Sequence, residues 1–170
     1  MTKTAQKLIL DACCGGRMIW FTKKHPNAQY VDIRNTIVDI THGKTKGRKH
    51  FHIHPDQVAD FRNLPFPDGS FKLVVWDPPH LDNLQETSIF AKKYGSLNRE
   101  TWRYDLERGF DECWRVLADF GVLIFKWSED RIKLKKVLIC FKQKPLFGHT
   151  TGSKSHTHWL CFMKIPEGTR

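Results

Sequence analysis

The sequence predicts an α/β chain built on one mostly parallel sheet with an antiparallel strand at its C-terminal end. Three observations carry this. Short apolar runs alternate with amphipathic stretches, the pattern of folds in which helices return the chain for the next parallel strand. Several of the runs close on an acid. The last two runs are joined by residues 142–157, rich in Gly, Ser, Thr, His and Lys, which is loop chemistry with no helical period, so the final strand returns antiparallel as a long hairpin.

Taken in order, Lys7 to Asp11 (KLILD) is a buried strand ending on an acid, and Arg17 to His25 is a short helix carrying Met18, Ile19, Trp20 and Phe21. Gln29 to Arg34 (QYVDIR) is the second strand. Thr41 to Lys49 is polar and basic. Phe71 to Trp76 (FKLVVW) is a strand announced by the turn signal Pro67-Asp68-Gly69. Leu81 to Arg99 has few periodic apolar residues and is expected to be a mobile loop. Glu100 to Ala118 places Trp102, Leu106, Phe110, Cys113, Trp114 and Leu117 at helical spacings. Gly121 to Trp127, Val137 to Phe141 and His158 to Met163 are the last three strands.

The chain has 170 residues, 40% hydrophobic and 27% charged, which points to one domain over residues 1–170 able to bury a core. Its 28 Lys and Arg against 18 Asp and Glu leave a charge of +10. Phosphate-rich partners are the commonest reason for such an excess. No apolar run approaches the roughly 18 residues that would span a membrane, and Leu8-Ile9-Leu10 ends at once in Asp11, unlike a secretory leader. Five cysteines, two of them adjacent and none in a C-x-x-C pair, argue against a disulfide framework or zinc ribbon and suggest a reducing cytoplasm.

In open α/β sheets ligands sit beyond the carboxyl ends of the strands. The first such turn is D-A-C-C-G-G, Asp11 to Gly16, in which Gly15 and Gly16 allow close backbone approach. The dinucleotide G-x-G-x-x-G and the phosphate-cradling G-x-x-x-x-G-K-[ST] are both absent. Asp32 lies about 20 residues on at the end of the second strand, where an acid takes ribose hydroxyls. Asp60 follows QVA and precedes Phe61, an acid for an adenine amino group beside a ring to pack on the base. Acids at three strand ends without a phosphate loop suit an adenosine ligand lacking phosphate, S-adenosylmethionine above all. No metal is expected: His50, His52 and His54 alternate, but no carboxylate or Cys sits within that cluster.

The fourth strand end is Asp77-Pro78-Pro79-His80. Two prolines fix two φ angles and remove two donors, driving the chain out of the sheet with its carbonyls held rigidly. The Asp77 carboxylate and the Pro78 carbonyl suit the two N–H bonds of an exocyclic base amine, and the His80 ring suits stacking on that base.

DACCGG, YVDIR and LPFPDGSFKLVVWDPPH together resemble the motifs of class I S-adenosylmethionine-dependent methyltransferases. D-P-P-H is similar to the [DNS]-P-P-[YFWH] element of the amino-methyltransferases that act on adenine N6, cytosine N4 or guanine N2. The resemblance spans the chain. It implies the Rossmann-like class I methyltransferase fold, a seven-stranded sheet in the order 3-2-1-4-5-7-6. It implies catalytic roles for Asp77, Pro78, Pro79 and His80. Cofactor contacts would come from Asp11, Ala12, Cys13, Gly15, Gly16, Asp32, Ile33, Asp60, Phe61 and Asp77. Small stand-alone members are common on phages and other mobile elements. The first motif departs from the family in carrying Cys13 and Cys14, and no separate target-recognition domain is expected.

The function expected is therefore methyl transfer from S-adenosylmethionine to an exocyclic amine of a nucleic-acid base, adenine N6 in DNA first. The alternatives are an RNA base (adenine N6 or guanine N2) or a catalytically silent nucleic-acid-binding module of the same fold. A covalent route through cytosine C5 is disfavoured because no Pro is followed by Cys. Lys44, Lys46, Arg48 and Lys49, and a second basic stretch at 126–144 including Lys126 and Arg131, are the expected phosphate contacts, which position a polymer without reading it. The sequence leaves monomer and homodimer open.

Overall fold

Three residues, Ile9–Asp11, form β1, the strand about which the sheet is organised. It pairs in parallel with β2 (Ala28–Asp32) on one side and β6 (Phe71–Trp76) on the other. Period-two alternation sorts these strands between two faces. Leu10, Val31, Val74 and Trp76 enter the main core, whereas Ile9, Ala28 and Tyr30 gather with Cys14 and Trp20 in a smaller cluster behind the sheet.

The structure, a computed structural model, describes residues 6–40, 49–150 and 156–169. Beyond the strands above it has β3 (Thr36–Ile40), β4 (Lys49–Ile53), β5 (Gln57–Val58), α1 (Ile89–Tyr94), α2 (Trp102–Val116), β7 (Leu117–Ser128), α3 (Leu134–Leu138), β8 (Phe147–Thr150) and β9 (Thr157–Met163). The fold is α/β and Rossmann-like. Its seven-stranded sheet runs β5-β2-β1-β6-β7-β9-β8, and β3 and β4 form a separate antiparallel pair. Counting only the strands of the large sheet, this is the order 3-2-1-4-5-7-6. β9 runs antiparallel to both β7 and β8.

Helix α2 seals one face. Its buried stripe of Trp102, Leu106, Phe110, Cys113 and Val116 has the spacing of an amphipathic helix, and Phe110 stacks on Phe141 at 4.2 Å between ring centres. Arg115 and Glu112 fasten the turn that leads into β6: Arg115 donates to the carbonyls of Leu64 and Phe66, and Glu112 accepts from the Leu64 N–H.

Four expectations are corrected. No helix forms over 17–25. Gly15 and Arg17 take φ of 46° and 55°, which an α-helix cannot propagate. The Arg17 guanidinium is drawn sideways to the carbonyls of Lys23 and His54, and the Trp20 indole to Asp11. The expected strand Val137 to Phe141 is instead the end of α3 and the turn after it, because Leu134, Val137, Leu138 and Phe141 recur at helical spacing against the core. The hairpin partner of β9 is therefore β8, from the stretch read as loop. Leu81 to Arg99 contains α1, whose N-cap Ser88 accepts from the Ala91 N–H.

Candidate functional site

The carboxyl ends of β1, β2, β6 and β7 lie together, and register decides which side chains meet. Asp11 closes β1 with 1% of its surface exposed. It accepts from the Trp20 indole N–H at 2.7 Å and from the Cys13 N–H at 3.3 Å. Burial, outweighing these hydrogen bonds, pushes its carboxyl up to about 7, with Asp77 and Asp32 adding to the rise. The adjacent thiols are pushed up as well, by burial and then by neighbouring carboxylates, Cys14 to about 12. Neither thiol is a ready nucleophile. Gly15 has a left-handed φ and open space where a side chain would project.

Two strand ends carry the same device, an Asp-x-Arg unit that folds back on itself. After β2, the Arg34 N–H and Nε donate to Asp32 Oδ1 at 3.0 and 2.9 Å, and a terminal guanidinium nitrogen donates to Oδ2 at 3.1 Å. The Gly15 N–H donates to Oδ2 as well, at 2.9 Å. A carboxylate offers about four acceptor positions, so Asp32 is saturated from within the chain. After β5, Arg62 repeats the pattern on Asp60, with its N–H and Nε on Oδ1 and a terminal nitrogen on Oδ2, and reaches on to Asp105 at 2.7 Å. Burial opposes ionisation of Asp60, but the Arg62 hydrogen bonds prevail and hold its carboxyl below the usual range. Phe61 packs beside Trp76 at 5.6 Å.

Pro78 and Pro79 follow β6 directly. Trp76 is in register with Phe125 of β7, so the next residues, Asp77 and Lys126, are neighbours across the strands. Lys126 Nζ donates to Asp77 Oδ2 at 2.6 Å. His80 lies edge-on to Trp127 at 6.3 Å. Burial lowers the pKa of its imidazole, which favours the neutral ring.

These groups line two adjoining cavities. The larger, about 340 Å³, takes in Asp11, Gly15, Gly16, Asp77, Pro78, Pro79 and His80, with Lys93 and Tyr94 of α1 at its edge. The smaller, about 160 Å³, holds Ala12, Asp32, Ile33, Asp60 and Phe61. Cys13, Arg34 and Pro79 line both and form the wall between them. Every residue expected at the cofactor and the target amine is thus brought to one place. Segment 81–99 stands beside it, through Gly95 to Leu97 in the smaller cavity.

The expected phosphate contacts fare differently. Lys126 is not a surface cation but the partner of Asp77. Arg131 is exposed on the turn after β7. Lys49 opens β4, and Lys44, Lys46 and Arg48 lie outside the described residues. Sequence reasoning missed Arg34 and Arg62. The repeated D-x-R at two strand ends was the available signal. It also missed Phe51, whose ring fills the space beside Gly16. The alternating histidines do share a region, with ring centres 6.3 and 5.5 Å apart, and His50 meets Asp39 of the neighbouring strand at 2.6 Å. Among the described residues no three His, Cys, Asp or Glu side chains converge to hold a metal ion, and no described helix is long and apolar enough to cross a membrane.

No protein-family model matches the chain, and no curated protein matches it. Solved structures do. The PH0226 protein of Pyrococcus horikoshii superposes with a TM-score of 0.56 over 97% of this chain and 84% of that one, at 13% identity. HI0767 of Haemophilus influenzae, named as a candidate methylase, gives 0.47 over 96% and 90%, at 14% identity. TTHA0409 of Thermus thermophilus, named as a candidate DNA modification methylase and solved with S-adenosyl-L-methionine, gives 0.42 over 65% and 55%, at 21% identity. At these identities the likeness concerns the fold.

Proposed function

We propose that the chain is an S-adenosylmethionine-dependent methyltransferase acting on an exocyclic amine of a nucleic-acid base, adenine N6 in DNA first. One observation carries the reading: the D-P-P-H element and the Asp11–Gly16 turn line one cavity, and the Asp32 and Asp60 pocket adjoins it through a shared wall. Together the cavities are of the size that small-molecule sites occupy, about 300–1,000 Å³. The smaller one suits a phosphate-free nucleoside, having the carboxylates of Asp32, Asp60 and Asp105, an aromatic ring and the apolar Ala12, Ile33 and Leu97. Ribose hydroxyls reach Asp32 only when the Arg34 guanidinium leaves it.

When bound, the cofactor supplies an electrophilic sulfonium methyl group. The chain's task is positioning, which removes several kcal/mol from such a transfer. Among the described contacts Lys126 engages only Oδ2 of Asp77, leaving Oδ1 to accept one amine N–H while the Pro78 carbonyl accepts the other. Lys126 is a positioning residue, since its charge-assisted hydrogen bond fixes the carboxylate plane. The neutral His80 ring offers a stacking face for the base. The buried Asp11 carboxylate places negative charge beside a cationic ligand.

The test is transfer of labelled methyl from S-adenosylmethionine to separate DNA, RNA and small-molecule pools, with Asp77→Ala as control. Label is expected in DNA adenine N6, with the rate lowered at least about 100-fold in the variant, on the scale of losing a positioned transition-state contact. Label in RNA alone would reassign the polymer. Transfer undiminished in Asp77→Ala would overturn the site.

A further inference from the structure

A recess of about 870 Å³ lies outside the D-P-P-H cavity and adjoins it: Gly15, Gly16, Met18 and Phe51 line both. Its far walls are the turn segment that replaces the expected helix and the outer side of β4, bringing Arg17, Lys23, Lys24, His50, His52 and His54 to one groove. Lys7 and Arg17 share Asp56, at 2.6 and 3.1 Å. Lys23 and Lys24 are exposed, and among the described residues neither has a carboxylate within ion-pair distance. The groove is therefore cationic, with a row of flat imidazole rings along it. Phe21, between Met18 and Lys23 in the same turn segment, projects wholly into solvent at 109% relative exposure. Cationic side chains along a groove with aromatic faces beside them are what a nucleic-acid strand needs: phosphate contacts and stacking platforms.

We propose that this groove is the track for the sugar-phosphate backbone of the strand carrying the target base, with Lys23 and Lys24 on its phosphates and Phe21 stacked on a neighbouring base. The inference rests on the reading of the site as a base methyltransferase. It adds a path, and it places that path on residues 17–25 and β4 rather than on 126–144. A base seated at Asp77 belongs to a polymer that has to leave the cavity, and the groove borders the cavity and carries Lys23 and Lys24, which among the described residues have no carboxylate within ion-pair distance.

The experiment is binding of fluorescein-labelled single- and double-stranded DNA oligonucleotides across a salt series, by anisotropy, for the wild type, Lys23→Ala/Lys24→Ala, Phe21→Ala and Lys72→Glu. The last removes the same net charge at the opposite end of β6. Thermal melting checks that each variant is folded. Each phosphate contact contributes about 0.7 (single strand) to 0.9 (duplex) to the slope of log affinity against log salt. The double variant is expected to lose about 1.4–1.8 of that slope, and Lys72→Glu to keep it. Phe21→Ala is expected to weaken binding about fivefold with the slope unchanged. A wild-type slope in the double variant, or an equal loss in Lys72→Glu, overturns the track while leaving the methyltransferase reading intact. A wild type that binds neither oligonucleotide overturns the nucleic-acid reading and the track with it.

Discussion

Replacing Asp11 with Asn removes one titration and keeps the side chain's shape. Asp11 is 1% exposed, and burial is the main reason its carboxyl moves from 3.8 to about 7 on folding. Below about 4 the carboxyl is protonated in both the folded and the unfolded chain. Between about 4 and 7 only the folded chain holds the proton, so stability falls as pH rises through that window and levels off above it. The displacement corresponds to about 4 kcal/mol, at about 1.4 kcal/mol per pH unit. Asn does not titrate. Its amide oxygen can keep the bond from the Trp20 indole, while the bond from the Cys13 N–H is lost at a cost of about 1 kcal/mol. Asp11→Asn is therefore expected to be less stable than the wild type by about 1 kcal/mol near pH 4 and more stable by about 3 kcal/mol near pH 8.

Urea unfolding followed by tryptophan fluorescence, at steps from about pH 4 to pH 8, reads the difference between the two proteins directly. Groups common to both cancel. A difference constant to within about 1 kcal/mol over the whole range would show that Asp11 is ionised throughout. The hydrogen bonds from Trp20 and Cys13 would then offset its burial, and the reasoning would fail. The same titration bears on the site. A cationic ligand beside Asp11 favours the ionised form, so S-adenosylmethionine affinity measured by calorimetry is expected to rise as pH passes through about 7, and this dependence to vanish in Asp11→Asn.

Two further expectations concern the smaller cavity. Arg34→Ala is expected to lower stability by about 1–3 kcal/mol through loss of charge-assisted bonds to a buried carboxylate. It is also expected to tighten binding of S-adenosylhomocysteine, since ribose no longer competes with the guanidinium for Asp32; weaker or unchanged binding by calorimetry would place the ribose elsewhere. Gly109→Ala would set a methyl 2.5 Å from the Phe61 ring and 2.6 Å from Trp76. Overpacking is expected to cost about 1–3 kcal/mol, despite the better helix propensity of Ala, and to weaken cofactor binding by displacing Phe61; an unchanged melting temperature would count against both effects.

What was legible in the sequence was whatever a local pattern determines. Phe71–Trp76 is a strand at the expected bounds, because a run of buried residues after a Pro-Asp-Gly turn has few alternatives. The strand-end acids and D-P-P-H were legible for the same reason: each is a short motif whose residue types limit what the backbone can do. Residues 17–25 were not legible, because the sign of φ at Arg17 depends on where its guanidinium finds acceptors, and those are supplied by His54 and Asp56, far along the chain. Val137 and Phe141 fit a strand face and a helix face equally over so short a run, and the core around Phe110 decided between them.

Charge was the feature read least well, and the reason lies in register. Lys126 sits in a basic stretch and looks like a surface cation. But β7 alternates, with Phe125 and Trp127 in the core, so Lys126 faces away from it, and the pairing of Trp76 with Phe125 sets it against Asp77. Arg34 and Arg62 are likewise taken up by the acids two residues before them, and Lys142 by Asp111 at 2.6 Å. A sequence counts all of these as equal contributors to +10, yet a cation held by a carboxylate has little field left for a distant phosphate. The charge available to a polymer is what remains after such pairing. Lys23 and Lys24 belong to that remainder, and they lie in a segment read from its apolar residues as the face of a helix.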